Sequence, residues 1–162
     1  MSLKISNQIL KYSESNQNWK SFEMRIDSTG TAPTKGTTTE KSYYKQRGNL
    51  IDITYTLRTT VAGAAGTGTY IFRFPNNWHI DTSFIDPTIN RFYVGTVHHV
   101  FSSTITLGHA FIHTGVFCGV SLHTFSGGVS GALVGQTNAN LDTTARIDFS
   151  VTVPIKEFRS YI

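Results

Sequence analysis

Hydrophobic and polar residues alternate along much of the chain, and no repeat of 3.6 residues accompanies the alternation. The clearest example is residues 50–58, in which every second residue is large and apolar. The same alternation recurs in residues 19–27, 70–74 and 147–153. Because successive side chains of a strand point to opposite faces, this pattern predicts half-buried β-strands rather than helices.

The middle of the chain carries runs that are apolar at successive positions. These runs are residues 92–97, 103–107, 109–113 and 116–125. A strand without a polar face is typical of a strand covered on both sides, so we expect a second sheet or a neighbouring subunit to cover these.

Turn-forming residues separate the predicted strands. Residues 28–36, 62–68 and 126–131 are rich in Gly or Pro and are predicted loops. Residues 81–87 are expected to form a short helical turn, with Asp81 as its N-terminal cap. About eight to nine short strands between such turns predict an all-β fold, an antiparallel β-sandwich or jelly roll.

Residues 1–18 differ from the rest of the chain, because they are polar and weakly patterned. We interpret them as an N-terminal arm that docks onto another component, and residues 19–162 as one head domain. A chain of 162 residues is long enough for one domain with its own core.

Composition narrows the class of protein further. Charged residues make up 15% of the chain, against roughly 25% in ordinary soluble domains, and this argues against a helical bundle. The 11 Phe and 7 Tyr argue against a disordered chain. No apolar run is long enough to span a membrane, and the start of the chain has no signal core, so no membrane insertion is expected. The single cysteine, Cys118, indicates assembly in a reducing compartment.

Charge is distributed unevenly along the chain. Residues 1–60 hold nine Lys or Arg and five acidic residues, whereas residues 61–141 hold four charged residues and all six His. The cores of homo-oligomer interfaces are poor in charge and rich in aromatic residues, so this segment predicts a homo-oligomer. A monomer coated with Thr is the alternative. The candidate interface residues are Tyr93, Phe101, Phe111, His113 and Phe117.

The sequence contains few of the residue patterns that are typical of catalytic sites. The chain has no Gly-x-Ser-x-Gly turn and no phosphate-binding Gly loop that leads into a helix, and its few carboxylates lie on predicted solvent faces. We therefore expect a protein that is not an enzyme and needs no cofactor. His98 and His99 would face opposite sides of a strand, so one subunit is a poor metal chelator. Symmetry copies of one His could still meet at a metal, and His near an interface would charge below about pH 6.5.

Residues 41–48 interleave Lys and Arg with Tyr43 and Tyr44, as proteins that bind single-stranded nucleic acid do. The same alternation is ordinary for a strand, and the net charge is only +4. We therefore expect no nucleic-acid partner.

Three segments carry a resemblance to a known family. In residues 43–53, Tyr43, Tyr44 and Gly48 precede a hydrophobic strand. Residues 66–75 form a predicted strand that begins after Gly and ends at Pro75. Residues 145–154 are similar to the last strand of the family described next. With Trp19 as an opening residue, the chain resembles the trimeric receptor-binding heads of phage tail fibres and of some large-DNA-virus and virophage proteins. These heads are jelly rolls of the C1q and tumour-necrosis-factor type. The family's last strand often ends near a Trp, where this chain has Phe158.

The resemblance implies a homotrimer on the surface of a virion that recognises a host-surface ligand, a carbohydrate, through exposed loops. It also implies contact with other virion proteins through the N-terminal arm. The family's ligand residues do not carry over, so the candidates come from this sequence: Asn76, Asn77, Trp78 and His79. A Trp beside amides suits a sugar, whose C–H groups stack on the ring while its hydroxyls bond the amides. The alternative is that Trp78 packs into the core at the sheet edge.

Two other functions remain open at this point. One is a structural capsid component, such as a penton or cementing protein, of the same fold. The other is a monomeric carbohydrate-binding module.

Overall fold

The computed structural model describes residues 18–86, 91–101, 104–113, 117–126, 129–134, 141 and 145–158. In these ranges the regular structure is β-strand with three short 3₁₀ turns, which confirms the predicted all-β class. No helix in the described ranges is long and apolar enough to cross a membrane. The strands are β1 (Lys20–Ser21), β2 (Ile26–Ser28), β3 (Thr37–Arg47), β4 (Leu50–Val61), β5 (Tyr70–Arg73), β6 (Arg91–Phe101), β7 (Thr104–His113), β8 (Gly119–Ser126), β9 (Val129–Leu133) and β10 (Arg146–Pro154).

The strands form one continuous antiparallel sheet. Its order is β1-β3-β4-β10-β6-β7-β8-β5-β2, and β9 pairs with β8 beside this path. The sheet curls until β5 lies over β4 and β10, where the Phe72 ring lies 5.8 Å from Tyr55 and 5.3 Å from Phe149. This curled sheet is consistent with a β-sandwich or jelly roll.

Strict alternation builds the centre of the core. On β4 the inward residues Ile51, Ile53, Tyr55 and Leu57 are almost fully buried. On β10 every second residue from Ile147 to Val153 is buried in the same way, and the outward residues of both strands are polar. One face of each strand therefore meets the interior and the other meets water, as the sequence predicts.

Several predicted elements have different boundaries in the structure. The strand expected over residues 19–27 is split into β1 and β2, which pair with different neighbours. The two runs expected at 103–107 and 109–113 form the single strand β7, because Gly108 continues the ladder opposite Val97 and Thr124. The loop expected at 126–131 contains the start of β9.

The predicted turn after Asp81 is present. A 3₁₀ turn covers Thr82–Phe84, and the Asp81 carboxylate accepts a hydrogen bond of 3.1 Å from the Ser83 amide. This is the capping role expected of an Asp at the start of a helical turn.

The two ends of the strand order, β1 and β2, are consecutive in the chain. The connecting residues 22–25 run from one end of the curled sheet to the other: the Phe22 amide donates to the Ser42 carbonyl of β3, and the Arg73 amide of β5 donates to the Arg25 carbonyl. We call the gap that this segment bridges, between β3 and β2, the seam.

Candidate functional site

The predicted ligand loop leaves β5 at one end of the curled sheet. Pro75–Asn77 form a 3₁₀ turn in which Asn76 and Asn77 have positive φ angles of 53° and 54°. Asn is the residue, after Gly, that tolerates this left-handed conformation best. Both side chains are exposed, so their amides are available to a ligand.

Trp78 lies deeper than its neighbours. Its ring packs edge-on against Tyr44 at 5.3 Å and against Phe158 at 4.7 Å, and it joins the rim of the hydrophobic core. Phe22 continues this row of rings, 5.9 Å from Tyr44. The ring is half-buried, so much of its stacking surface is used by the protein itself, as the core alternative for Trp78 expects.

His79 is exposed but fixed in place. Its backbone amide donates to the Glu157 carboxylate at 3.0 Å, and its Nδ1 lies 3.0 Å from the same carboxylate. Burial alone would raise the pKa of Glu157, but hydrogen bonds from His79 outweigh it and hold that pKa below its ordinary value. These contacts with Glu157 fix the loop at residues 76–79 against the 3₁₀ turn at Lys156–Phe158.

The outer face of β7, together with Tyr93 of β6 and Phe125 of β8, exposes large apolar side chains. The large side chains of Tyr93, Ile105, Leu107 and Phe125 are between 38% and 73% exposed. His109 lies among them, with its ring 5.3 Å from both Tyr93 and Phe125. We call these five residues the apolar face. The outer face of β4 and β10, in contrast, carries Thr, Ser, Asp and Arg.

The five predicted interface residues are placed differently from one another. Tyr93 lies on the apolar face. Phe111 is fully buried within the chain, and Phe117 is half-buried against the core. The side chains of Phe101 and His113 lie outside the described residues.

In the described part of the chain, the double coverage expected for the middle strands is found in residues 119–124 of β8 and 110–112 of β7, but not in residues 104–109 of β7. Residues 119–124 of β8 are all buried, whereas Ile105 and Leu107 of β7 are exposed on their outer side.

His98 and His99 face opposite sides of β6, as predicted: His98 is exposed and His99 is 2% exposed. In the described part of the chain no three His, Cys, Asp or Glu side chains are grouped so that they could hold a metal ion.

A cavity that the sequence analysis did not predict lies at the seam. Its volume is about 340 Å³. The segment that joins β1 to β2 forms one side of it and β3 forms the other. The lining residues are Ser21, Phe22, Glu23, Met24, Lys35, Glu40, Lys41, Ser42 and Tyr43.

A network of polar groups lies at the inner end of this seam cavity. The Lys35 ammonium donates to the Met24 carbonyl and, at 2.8 Å, to the Glu40 carboxylate. That carboxylate also accepts from the Tyr55 hydroxyl at 3.0 Å and from the Thr38 hydroxyl at 2.9 Å. Burial raises the pKa of Tyr55, and the charge of Glu40 raises it further, so this hydroxyl stays protonated and donates.

Sequence reasoning missed the seam cavity because its walls come from separate segments. Glu40 alternates with exposed residues on β3 and resembles an ordinary solvent-facing carboxylate, and Lys35 lies in a predicted loop. One signal was available in the sequence. Glu40 is two residues from Ser42, so the period of two places both side chains on the same side of β3, and Ser42 is buried.

Comparison with known proteins assigns no relative. No family model matches the chain, and neither the curated proteins nor the solved structures include a match.

Proposed function

We propose that the chain is a non-enzymatic attachment protein of a virion: a homotrimeric jelly-roll head that recognises a host-surface ligand, a carbohydrate. The apolar face carries the proposal. An exposed cluster of large apolar side chains on one side of a sheet is typical of a surface that a partner covers.

A second copy of the chain is the occupant that the surroundings favour. The apolar face lies within residues 61–141, the segment with four charged residues, and self-association surfaces are depleted in charge at their centre. Tyr93 and Phe125 supply the aromatic side chains that such centres favour. The viral assignment and the three-fold symmetry rest on the resemblance to receptor-binding heads.

Ligand recognition is proposed at the end of the sheet that carries Asn76, Asn77, Trp78 and His79. The two exposed amides are suited to bond sugar hydroxyls, and the accessible part of Trp78 offers a small apolar surface beside them. Localisation on the virion surface, with the N-terminal arm as the attachment point, belongs to the same proposal.

The solution mass tests this proposal directly. We expect light scattering after size exclusion to give about 54 kDa, three times the chain mass of 17.9 kDa, and the mass to persist on dilution to micromolar protein. A mass of one chain at micromolar concentration would contradict the attachment head and favour a monomeric carbohydrate-binding module. Binding of the trimer to host cells, and its loss after enzymatic deglycosylation of those cells, tests the ligand.

A further inference from the structure

We propose that the seam cavity binds one neutral, hydroxyl-rich ligand: the terminal sugar residue of a glycan. The proposal rests on the proposed function, because it adds a second carbohydrate site to that function, apart from the loop at residues 76–79.

The size of the cavity suits such a ligand. At about 340 Å³ it lies at the small end of the range of ligand pockets, roughly 300–1,000 Å³. It is also built from two sides, since Lys35 joins the Met24 carbonyl on one side to Glu40 of β3 on the other. The inner end is therefore held by bonds that exist without a ligand.

Charge balance excludes a strongly ionic ligand. Lys35 and Glu40 neutralise each other, with side chains that are 23% and 22% exposed. At the outer edge Glu23 and Lys41 again carry opposite charges. Because no net charge remains to hold an ion, the favoured partner is neutral and forms hydrogen bonds.

Hydrogen-bonding capacity indicates hydroxyl groups. An ammonium has three donors, and the bonds to Met24 and Glu40 use two of them. A carboxylate has about four acceptor sites, and the bonds from Lys35, Tyr55 and Thr38 use three. One donor of Lys35 and about one acceptor site of Glu40 thus remain, on groups that are 2.8 Å apart. A hydroxyl accepts and donates at once, and adjacent ring hydroxyls offer both functions at the spacing of such a pair.

Aromatic residues also form part of the cavity wall. Phe22 and Tyr43 line the cavity, and Tyr43 is 38% exposed. Aromatic side chains give a sugar ring the apolar contact that its C–H groups require, while the polar inner end orients its hydroxyls.

The test measures binding of methyl glycosides to the full chain by saturation-transfer NMR. The panel contains the α and β methyl glycosides of glucose, galactose, mannose, fucose and N-acetylglucosamine, with the free sugars alongside. We expect saturable binding of at least one methyl glycoside, because a methyl glycoside mimics the end of a glycan.

Two seam variants and one control locate the bound sugar. Glu40→Gln removes the acceptor charge, and Tyr43→Ala removes an exposed side chain at the rim, where a folding defect is not expected. Each should raise the Kd at least tenfold, whereas Phe84→Ala, which removes another exposed aromatic ring, should leave it within twofold. Phe84 is 58% exposed and lies outside the seam.

Three outcomes would overturn the proposal: no methyl glycoside binds, only free sugars bind, or Tyr43→Ala binds as the wild type does. Loss of binding in Asn77→Ala with the seam variants unaffected would assign the ligand to the loop and leave the proposed function intact. The solution mass and the cell-binding measurement test the proposed function independently of this glycoside-binding experiment.

Discussion

Asp27, the central residue of β2, is held between two guanidinium groups. Its carboxylate accepts from Arg25 Nε and Arg73 Nε, each at 2.7 Å, and Arg73 also contacts Cys118. Burial on its own would raise the pKa of Asp27, but the hydrogen bonds from both arginines outweigh it and hold that pKa below the ordinary value. This cluster joins β2 to β5.

A depressed carboxylate pKa makes folding stability depend on pH in one direction. The stabilisation from Asp27 is fully present above its unfolded pKa, about 3.9, and is lost as pH falls through the lower folded value. We expect Asp27→Asn to destabilise the protein at pH 7 and to flatten the loss of stability below about pH 4. Urea unfolding at a series of pH values measures both effects.

The matched control for this experiment is Asp148→Asn, which removes a carboxylate on the outer face of β10 that pairs with the exposed Arg146. Exposed pairs contribute little, about 0–1 kcal/mol. Equal destabilisation by the two variants at pH 7 would contradict the role assigned to Asp27.

At the scale of elements, two loops are joined side by side at one end of the sheet. The Thr34 amide donates to the Ala64 carbonyl at 2.9 Å, and the Thr67 amide donates to the Thr31 carbonyl at 2.9 Å. Gly63 lies where the loops are closest: a Cβ there would collide with the Thr34 carbonyl oxygen and the Lys35 backbone. These contacts set the position from which Lys35 reaches Glu40.

We therefore expect Gly63→Ala to force the two loops apart. Overpacking of this kind costs roughly 1–3 kcal/mol, and here it would also move Lys35 away from the seam cavity. Chemical denaturation measures the loss of stability. Ala62→Ser, at the exposed neighbouring position, is the control, and a Gly63→Ala protein as stable as this control would show that the loops separate at little cost.

The sequence predicts strands well where one face is buried and the other is polar. For β4 and β10 the period of two identified both the strands and their inward residues, because burial of Tyr55 or Phe149 depends on a pattern within the strand. The split of residues 19–27 was not predicted, because Phe22, Met24 and Ile26 keep the same alternation through the connecting residues 22–25. The division of this segment into two strands depends on tertiary pairing, since β1 pairs with β3 and β2 pairs with β5.

At the scale of the whole molecule, the outer surface of the sheet is polar on β4, β10 and the part of β6 that carries Thr96 and His98, and apolar on β7. The polar part carries charged and hydroxyl side chains such as Arg58 and Ser150, and the apolar part carries Ile105 and Leu107. Both surfaces belong to the same curled sheet, so the difference is not required by the core. The proposed self-association would account for this difference.

A single charge on the apolar face tests this assignment. We expect Leu107→Lys to lower the mass measured by light scattering from that of the oligomer to that of one chain, because the interface would bury an unpaired ammonium. Ser150→Lys adds the same charge to the exposed, polar outer face of β10 and should leave the mass unchanged. An oligomer that persists in Leu107→Lys would place the interface elsewhere.

The sequence alone determined the all-β class, the central strands and their inward residues, and the segment poor in charge. These properties depend on periodicity and composition, which are local. Only the tertiary structure decided that Trp78 packs between Tyr44 and Phe158, that Phe111 is buried while Tyr93 is exposed, and that Lys35, Glu40 and Tyr55 meet at the seam. Each of these depends on how far the sheet curls and on which strands meet at its ends, and both are properties of contacts between residues distant in the chain.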